Sequence, residues 1–96
     1  MEEREIERLA KYFSVLQNRV ALKMLFLLKS GPLYVYEITE KLNLKPYITS
    51  QILKILRLTD FVGYEQKGKL RKYFLKREDL FNLILQFGKA IERDNR

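Results

Sequence analysis

The sequence contains no cysteine and no histidine. The absence of cysteine excludes disulfide bonds and thiol redox chemistry, and the absence of both residue types removes the usual ligands of zinc and copper. Histidine is also the commonest general base, so only a carboxylate is left for that role. The sequence shows neither a Gly-rich phosphate loop nor a pair of acids spaced for catalysis. We therefore expect no enzymatic activity and no cofactor.

Long apolar runs are also missing. The longest run is only a few residues, too short to span a bilayer, and the charged N-terminal segment MEEREIER does not resemble a signal peptide. Hydrophobic residues nevertheless make up 47% of the 96 residues, which is enough for one modest globular core. We therefore expect residues 1–96 to form a single cytoplasmic domain.

Positive charge is concentrated in one part of the chain. Residues 45–77 hold nine basic and two acidic side chains, hence +7, which equals the formal net charge of the whole sequence. Residues 1–44 (seven basic, six acidic) and 78–96 (three basic, four acidic) contribute +1 and −1. Such a distribution predicts a polyanionic partner. A solvated basic face that keeps the protein soluble explains the composition equally well, and only the motif in the same segment favours the polyanion.

The N-terminal part of the sequence predicts two helices and a short strand. Apolar residues at helical spacing predict a first helix over residues 3–17. Asn18 is expected to cap a second helix over residues 19–29, which is apolar on nearly all sides and should be buried at the centre of the domain. A Ser-Gly-Pro tripeptide at 30–32 ends this helix, and residues 33–35 are expected to pair as a strand with a later hairpin.

A helix-turn-helix is predicted over residues 36–57. The third helix should end near Leu42, because Asn43 can adopt the left-handed conformation that terminates a helix. Pro46 suits the first turn of the fourth helix, where its missing N–H is not needed. One broad side of the fourth helix is expected to face inward, with Ile48, Thr49, Ile52, Leu53, Ile55 and Leu56.

The opposite, narrow arc of the fourth helix carries Tyr47, Ser50, Gln51 and Lys54. Gln can bond adenine through two hydrogen bonds, Lys can contact guanine or phosphate, and Ser can contact either a base edge or a phosphate. An ordinary solvated helix face is the alternative interpretation. The position of this helix after a three-residue turn favours a recognition helix that enters the major groove of DNA.

Residues 61–75 predict a basic β-hairpin, or wing, whose two strands join at Lys67-Gly68-Lys69. Gly68 permits the positive φ that a hairpin tip requires. The basic side chains near the tip, together with Lys45, are expected to contact phosphates or the minor groove. The predicted DNA-binding residues are therefore Lys45, Pro46, Tyr47, Ser50, Gln51, Lys54, Lys67, Lys69 and Arg71.

The last predicted helix, residues 78–92, is apolar over far more than one stripe. Such a helix needs a second surface to cover it, and a homodimer partner is the simplest one. The first helix, residues 1–17, is expected to join this dimer surface through Tyr12 and Phe13. The alternative is that the last helix wraps the core of its own domain. The predicted dimer-interface residues are Phe13, Leu83, Phe87 and Ile91.

From Leu16 to Leu75 the sequence resembles the ArsR/SmtB family of winged helix-turn-helix transcriptional repressors. The resemblance rests on a helix that ends in Gly before the helix-turn-helix, on the wing GYEQKGKLRKYFL, and on the recognition-helix pattern Ser50-x-x-Leu53-Lys54-x-Leu56. MarR-like and PadR-like winged helices share much of this pattern. The resemblance implies a mainly α (α+β) winged helix-turn-helix fold with N- and C-terminal dimerisation helices.

The resemblance also implies a homodimeric repressor that binds double-stranded DNA. Metal-sensing members of the family carry a Cys-x-Cys pair where this sequence has Tyr34-Val35-Tyr36, so we expect no metal sensing. The remaining alternative is a protein-docking module, because winged helices also serve as interaction domains in larger assemblies. Salt-dependent binding to duplex DNA would distinguish the two functions.

Overall fold

The computed structural model describes residues 1–94 and confirms the predicted mainly α (α+β) winged helix-turn-helix. Its three strands form one antiparallel sheet in the order β1-β3-β2. Within residues 1–94, no helix combines the length and the apolar character that a membrane crossing requires. The elements in chain order are α1 (Glu3–Leu16), α2 (Arg19–Leu28), β1 (Leu33–Tyr34), α3 (Val35–Lys41), α4 (Pro46–Leu58), β2 (Val62–Lys67), β3 (Leu70–Leu75) and α5 (Glu78–Asp94).

The helix boundaries differ from the predicted ones by one or two residues. The clearest difference is that α3 begins at Val35, which the sequence pattern had placed in the strand. The reason is a local cap, because the Glu37 carboxylate accepts a hydrogen bond from the backbone N–H of Tyr34 at 2.8 Å. At the other end of the chain, α5 continues to Asp94 instead of ending at Glu92.

The central helix α2 is held by the predicted cap and by the core. The Asn18 side-chain oxygen accepts a hydrogen bond from the Ala21 N–H at 3.0 Å, which confirms Asn18 as the N-cap. Met24 and Leu25 are completely buried. The prediction of burial on nearly all sides is wrong at Phe26, whose side chain is 48% exposed. Phe26 still packs edge-on against Phe81 of α5, with ring centroids 5.1 Å apart.

The hydrophobic core draws on every helix and on the wing. Burial of a large apolar side chain typically stabilises a fold by about 1.5–3 kcal/mol. Tyr12 belongs to this core, because its ring lies 5.5 Å from the ring of Phe61 in an edge-on arrangement. Tyr12 is nevertheless only half-buried, so its place on a dimer surface stays a prediction, and its neighbour Phe13 is exposed. The buried hydrophobic residues are Val15, Ala21, Met24, Leu25, Leu28, Ile38, Ile52, Leu53, Leu56, Phe61, Val62, Tyr73 and Phe81.

Candidate nucleic-acid interface

The turn between α3 and α4 has the geometry that the sequence predicts. Asn43 has φ of 51°, in the left-handed region where Asn is one of the few tolerated side chains. Its N–H donates to the Glu40 carbonyl at 3.1 Å, and the Leu44 N–H donates to the Thr39 carbonyl at 3.0 Å. These two bonds form a Schellman motif, which ends α3 and turns the chain sharply. Pro46 then occupies the first turn of α4.

A pair of hydroxyl groups connects the two helices of the motif. The Thr39 and Thr49 hydroxyl oxygens lie 2.9 Å apart and share a hydrogen bond. Thr39 also bonds the Val35 carbonyl at 2.8 Å. Thr49 is fully buried, so this bond forms away from water, where an unpaired hydroxyl would be costly. The contact fixes α3 against the inner side of α4 and leaves the outer side of α4 free.

The outer side of α4 presents the predicted arc to solvent. Tyr47 is 65% exposed, and Ser50, Gln51 and Lys54 are also exposed. The predicted arc is thus present as one surface, on a helix whose opposite side is anchored in the core. Lys45 and Pro46, also exposed, lie at the N-terminal end of the same helix.

The inward side of α4 is narrower than predicted. Its buried residues are Thr49, Ile52, Leu53 and Leu56. Ile55 was predicted to face inward, but it is 39% exposed. Ile55 lies at the edge of the buried side, one helical turn after Gln51. The exposed arc therefore includes this apolar side chain in addition to the four predicted residues.

The wing begins directly after α4 because a second Schellman motif ends that helix. Asp60 has φ of 66°, its N–H donates to the Arg57 carbonyl at 3.0 Å, and the Phe61 N–H donates to the Leu56 carbonyl at 2.9 Å. Lys76, which directly follows β3, forms an ion pair with the Asp60 carboxylate, and its Nζ lies 2.7 Å from Oδ1. The base of the wing is therefore tied to the end of α4.

The two wing strands are in tight register around a two-residue loop. Lys67 pairs with Leu70, which leaves Gly68 and Lys69 as the loop. Gly68 has φ of 62°, as predicted for the tip. Gly63 has a different role, because a Cβ atom there would lie only 2.8 Å from the Phe74 ring, which covers this position from the neighbouring strand.

The basic side chains of the wing lie on both faces of the sheet and at its tip. Arg71 pairs with Gln66 across the hairpin, and Lys67 pairs with Leu70, so Lys67 and Arg71 point to opposite faces of the sheet. The Lys67 ammonium lies 3.2 Å from the Glu65 carboxylate. The Arg71 guanidinium instead lies over the Tyr64 ring, 4.3 Å from its centroid. Lys69 alone extends from the tip.

Most of the basic side chains in residues 45–77 have no acidic partner. Lys67, Lys76 and Arg77 each form an ion pair with a nearby carboxylate. Among the side chains that the structure describes, no carboxylate lies within ion-pair distance of the other six, and these six stand on α4 or on the wing. Lys45, Lys54 and Arg57 lie on or next to α4, whereas Lys72 lies on the opposite face of the sheet from Arg71, over the Tyr34 ring. The six are Lys45, Lys54, Arg57, Lys69, Arg71 and Lys72.

Arg57 is a site residue that the sequence pattern did not identify. It is half-buried on the side of α4 that faces the wing, and its guanidinium lies 5.8 Å from the centre of the Tyr64 ring. Its Nε is buried without a hydrogen-bond partner in the structure. No local signal marks this residue, because its surroundings depend on how the wing packs against α4.

Two aromatic side chains lie at the start of α3. Tyr34 and Tyr36, at the positions of the Cys-x-Cys pair in metal-sensing proteins, stack with ring centroids 5.7 Å apart and nearly parallel planes. Phenol groups are poor substitutes for thiolates as ligands of zinc, cadmium or arsenic. Within residues 1–94, no cluster of three or more acidic, His or Cys side chains is arranged to hold a metal ion.

The fold and this arrangement of helices and wing define a winged helix-turn-helix protein. Residues 18–64 match the sequence model of the arsR family of bacterial regulatory proteins. The chain belongs to the ArsR-like winged helix-turn-helix regulators, a family of bacterial regulatory proteins. The sequence comparison with curated proteins gives no match.

Solved structures share this fold over nearly the whole chain. Rv0081 from Mycobacterium tuberculosis superimposes with a TM-score of 0.87 at 24% identity, over 96% of this chain and 93% of that one. The homodimeric winged helix-turn-helix DNA-binding domain of Mb0332 from Mycobacterium bovis gives a TM-score of 0.82 at 21% identity, over 100% of this chain and 94% of that one. The transcriptional regulator HlyU from Vibrio vulnificus gives a TM-score of 0.75 at 25% identity, over 92% of each chain.

Proposed function

We propose that this protein binds double-stranded DNA as a homodimer and represses transcription by covering a promoter. The observation that carries the proposal is the exposed arc of Tyr47, Ser50, Gln51 and Lys54 on a helix anchored by its opposite side. These side chains supply hydrogen-bond donors, acceptors and one aromatic ring, which suit the edges of base pairs. The proposal includes a cytoplasmic location, where the chromosome of a bacterium lies.

The charge around the arc supports DNA over other partners. Lys45 and Lys54 on α4, and Lys69 and Arg71 on the wing, have no acidic partner among the described side chains. Phosphate contacts position a protein on the duplex, whereas contacts to base edges give specificity. We assign the first role to Lys45, Pro46 and the wing, and the second role to the exposed arc of α4.

The dimer surface that we propose combines α1 with α5. On α5, Leu83, Phe87 and Ile91 form a stripe at four-residue spacing and are 59%, 60% and 46% exposed. Such a row of large apolar side chains is unusual on a monomer and typical of an interface. On α1, Phe13 is exposed in the same way, together with Ile6 and Leu9.

A groove beside the stripe continues this surface. An open, largely apolar groove of about 650 Å³ lies between α2 and α5, and Phe26, Ile84 and Leu85 line it. The exposed side of Phe26 belongs to this groove. A helix of a second copy that lay here would cover both the groove and the stripe on α5, and it would place the two α4 helices on opposite sides of a two-fold axis.

We further propose that DNA binding does not respond to soft metal ions. The stacked Tyr34 and Tyr36 replace the thiolates that such ions prefer. The DNA affinity should therefore stay unchanged when zinc, cadmium or arsenite is added at micromolar concentration. Specific release of DNA by any of these ions would contradict this part of the proposal.

Fluorescence anisotropy with a labelled duplex of random sequence gives a direct test. Binding should weaken steeply as the salt concentration rises, because each phosphate contact releases counterions. Lys54→Gln should reduce the slope of log K against log salt, whereas Lys29→Gln, on the far side of α2 beside Glu78 and Phe81, should not. No binding to duplex DNA at low salt would favour the protein-docking alternative and would overturn the proposal.

A further inference from the structure

The Tyr64 ring contacts two positively charged side chains that come from different elements. The ring also packs on Tyr73 in the adjacent strand, with centroids 5.2 Å apart. The Arg71 guanidinium of the wing lies 4.3 Å from the Tyr64 ring centroid, and the Arg57 guanidinium of α4 lies 5.8 Å from it. Tyr64 therefore connects the recognition helix to the wing through two cation–π contacts.

The positive charges of Arg57 and Arg71 are not neutralised by a nearby carboxylate among the described side chains. The two like charges share one aromatic ring. The Arg57 Nε is also buried and makes no hydrogen bond in the structure. Because this Nε is buried, any anion contact of Arg57 would be made by its terminal Nη groups. An anion bonded by both guanidinium groups would reduce their repulsion.

The position of the pair indicates which anion fits. Ser50 and Lys54 lie on the same side of α4 as Arg57, at seven- and three-residue spacing, and both belong to the exposed arc. Arg71 and Gln66 pair across the hairpin on the face of the sheet that carries Tyr64. The pair thus lies where the wing meets the DNA-facing side of α4, and a guanidinium can bond two phosphate oxygens at once.

We propose that Arg57 and Arg71, positioned by Tyr64, clamp one phosphodiester group of the DNA backbone. The clamp fixes the angle between the wing and the recognition helix in the complex. This inference rests on the proposed DNA binding and adds Arg57 and Tyr64 to it, the first as a contact residue and the second as a positioning residue. The clamp reads no base, so it contributes equally to all sequences.

The test compares salt slopes of DNA binding for variants of the clamp. Arg57→Gln should reduce the magnitude of the slope by about one, and so reduce the ratio of the affinities at about 50 and about 200 mM salt by about fourfold. Tyr64→Leu should have a similar effect although no charge is lost, and Tyr64→Phe, which keeps the ring, should restore most of the affinity. Lys29→Gln, which removes a charge beside Glu78, is the matched control and should leave the slope unchanged.

Arg57→Lys separates charge from geometry. It keeps the positive charge but lacks the planar guanidinium that can bond two phosphate oxygens, so the slope should stay close to that of the unmodified protein while the affinity falls on all sequences. Thermal unfolding of each variant shows whether it is folded under the binding conditions. If the protein binds DNA and both Arg57 variants match its affinity and slope, the clamp does not exist, although the proposed function stands.

A second measurement does not depend on DNA. Nitrogen–proton NMR of the arginine Nε–H groups can follow a titration with inorganic phosphate. We expect the Arg57 signal to shift and to saturate, and to lose this response in Arg71→Gln. If the protein fails to bind DNA but the Arg57 signal still saturates, the site holds a free anion and the assignment to DNA is wrong. If the signal does not respond in either case, the anion site itself is refuted.

Discussion

At the residue scale, two neighbouring positions on α4 explain how sequence could be read. Gln51 lies in the middle of the exposed arc, and Ile55 follows it by one helical turn at the edge. Gln51 has the donor and acceptor pair that matches adenine in the major groove. Ile55 has no polar group, so the feature of a base pair that it can recognise is the methyl group of thymine.

Substitution of Gln51 tests the polar contact. Gln51→Ala should weaken binding to the preferred site by about 1–3 kcal/mol and change binding to random DNA little, because only a base contact is lost. Competition assays with both duplexes give the two values. The variant should also relax base preference at one position of each half-site. An unchanged preference would show that Gln51 does not contact a base.

Substitution of Ile55 tests the apolar contact. Replacing thymine by deoxyuracil at the contacted position removes one methyl group and should weaken binding by about 0.8 kcal/mol, the usual value for one buried CH₂. Ile55→Ala should bind the two duplexes equally well. Scanning the site with single uracil replacements finds the position. If no position responds, Ile55 does not contact a thymine methyl group.

At the element scale, the proposed DNA binding assigns different roles to α4 and to the wing. The exposed arc of α4 holds groups with directional hydrogen bonds, whereas the wing presents charges. The wing charges also differ among themselves, since Lys67 already has Glu65 as a partner and Arg71 lies on Tyr64. Lys69 at the tip is the most independent of the three.

Neutralising the wing tests this division. A triple variant with Gln at Lys67, Lys69 and Arg71 should bind specific and random duplexes more weakly by nearly the same factor. Its salt slope should fall by about two rather than three, because Lys67 is partly neutralised already. Glu65→Gln is the matched control, and it should strengthen binding by freeing Lys67. A changed base preference in the triple variant would assign sequence reading to the wing.

The N-terminus of α5 should make stability depend on pH in acid. The Arg77 guanidinium donates two hydrogen bonds to the Asp79 carboxylate, at 2.9 and 2.8 Å. These bonds lower the pKa of Asp79 from 3.8 to about 2. A lowered folded-state pKa means that the ionised form stabilises the fold above pH about 3.8, and that this contribution is lost as the pH falls toward about 2.

Asp79→Asn removes this dependence. The free energy of unfolding should differ between the two proteins by a constant amount from pH 5 to 8. The difference should shrink below the unfolded-state pKa of 3.8 and level off only below about pH 2, where Asp79 is protonated in both states. The effect should be small because the pair is exposed to solvent. Urea unfolding at a series of pH values measures it, and a difference that stays constant from pH 5 down to pH 2 would contradict the pairing.

Sequence patterns predicted the elements well where local chemistry decides the structure. Asn43 and Pro46 define the turn, Asn18 defines the start of α2, and Gly68 defines the tip of the wing, each through a backbone requirement of its own residue. The same reasoning failed where tertiary packing decides. Helical periodicity cannot show which edge residue of α4 the neighbouring elements cover, so Ile55 was placed inward and Arg57 was overlooked.

At the scale of the whole molecule, the basic and the apolar parts of the surface lie on different elements. The excess positive charge lies on α4 and the wing, and the exposed apolar stripe lies on α5. In the proposed dimer the apolar surfaces meet, and the two basic surfaces remain free to contact one duplex. The net charge of +7 per chain also speeds encounter with DNA at low salt.

A charge in the stripe tests the dimer. Phe87→Glu would bury an unpaired carboxylate in the interface, which is strongly unfavourable. Sedimentation should therefore show a dimer for the unmodified protein and a monomer for the variant at micromolar concentration. Asn82→Glu, which adds the same charge at an exposed position of α5 outside the stripe, should remain a dimer. An unmodified protein that sediments as a monomer would refute the proposed interface.

Selection of bound duplexes from a random library tests whether a two-fold dimer reads DNA sequence through α4. We expect enrichment of one pseudo-palindromic sequence whose half-site centres lie about one helical turn, or about 34–36 Å, apart. Selection with Gln51→Ala should enrich the same spacing with one position per half-site relaxed. Recovery of unenriched, random duplexes, or of a single asymmetric site, would show that the protein does not read DNA in this way.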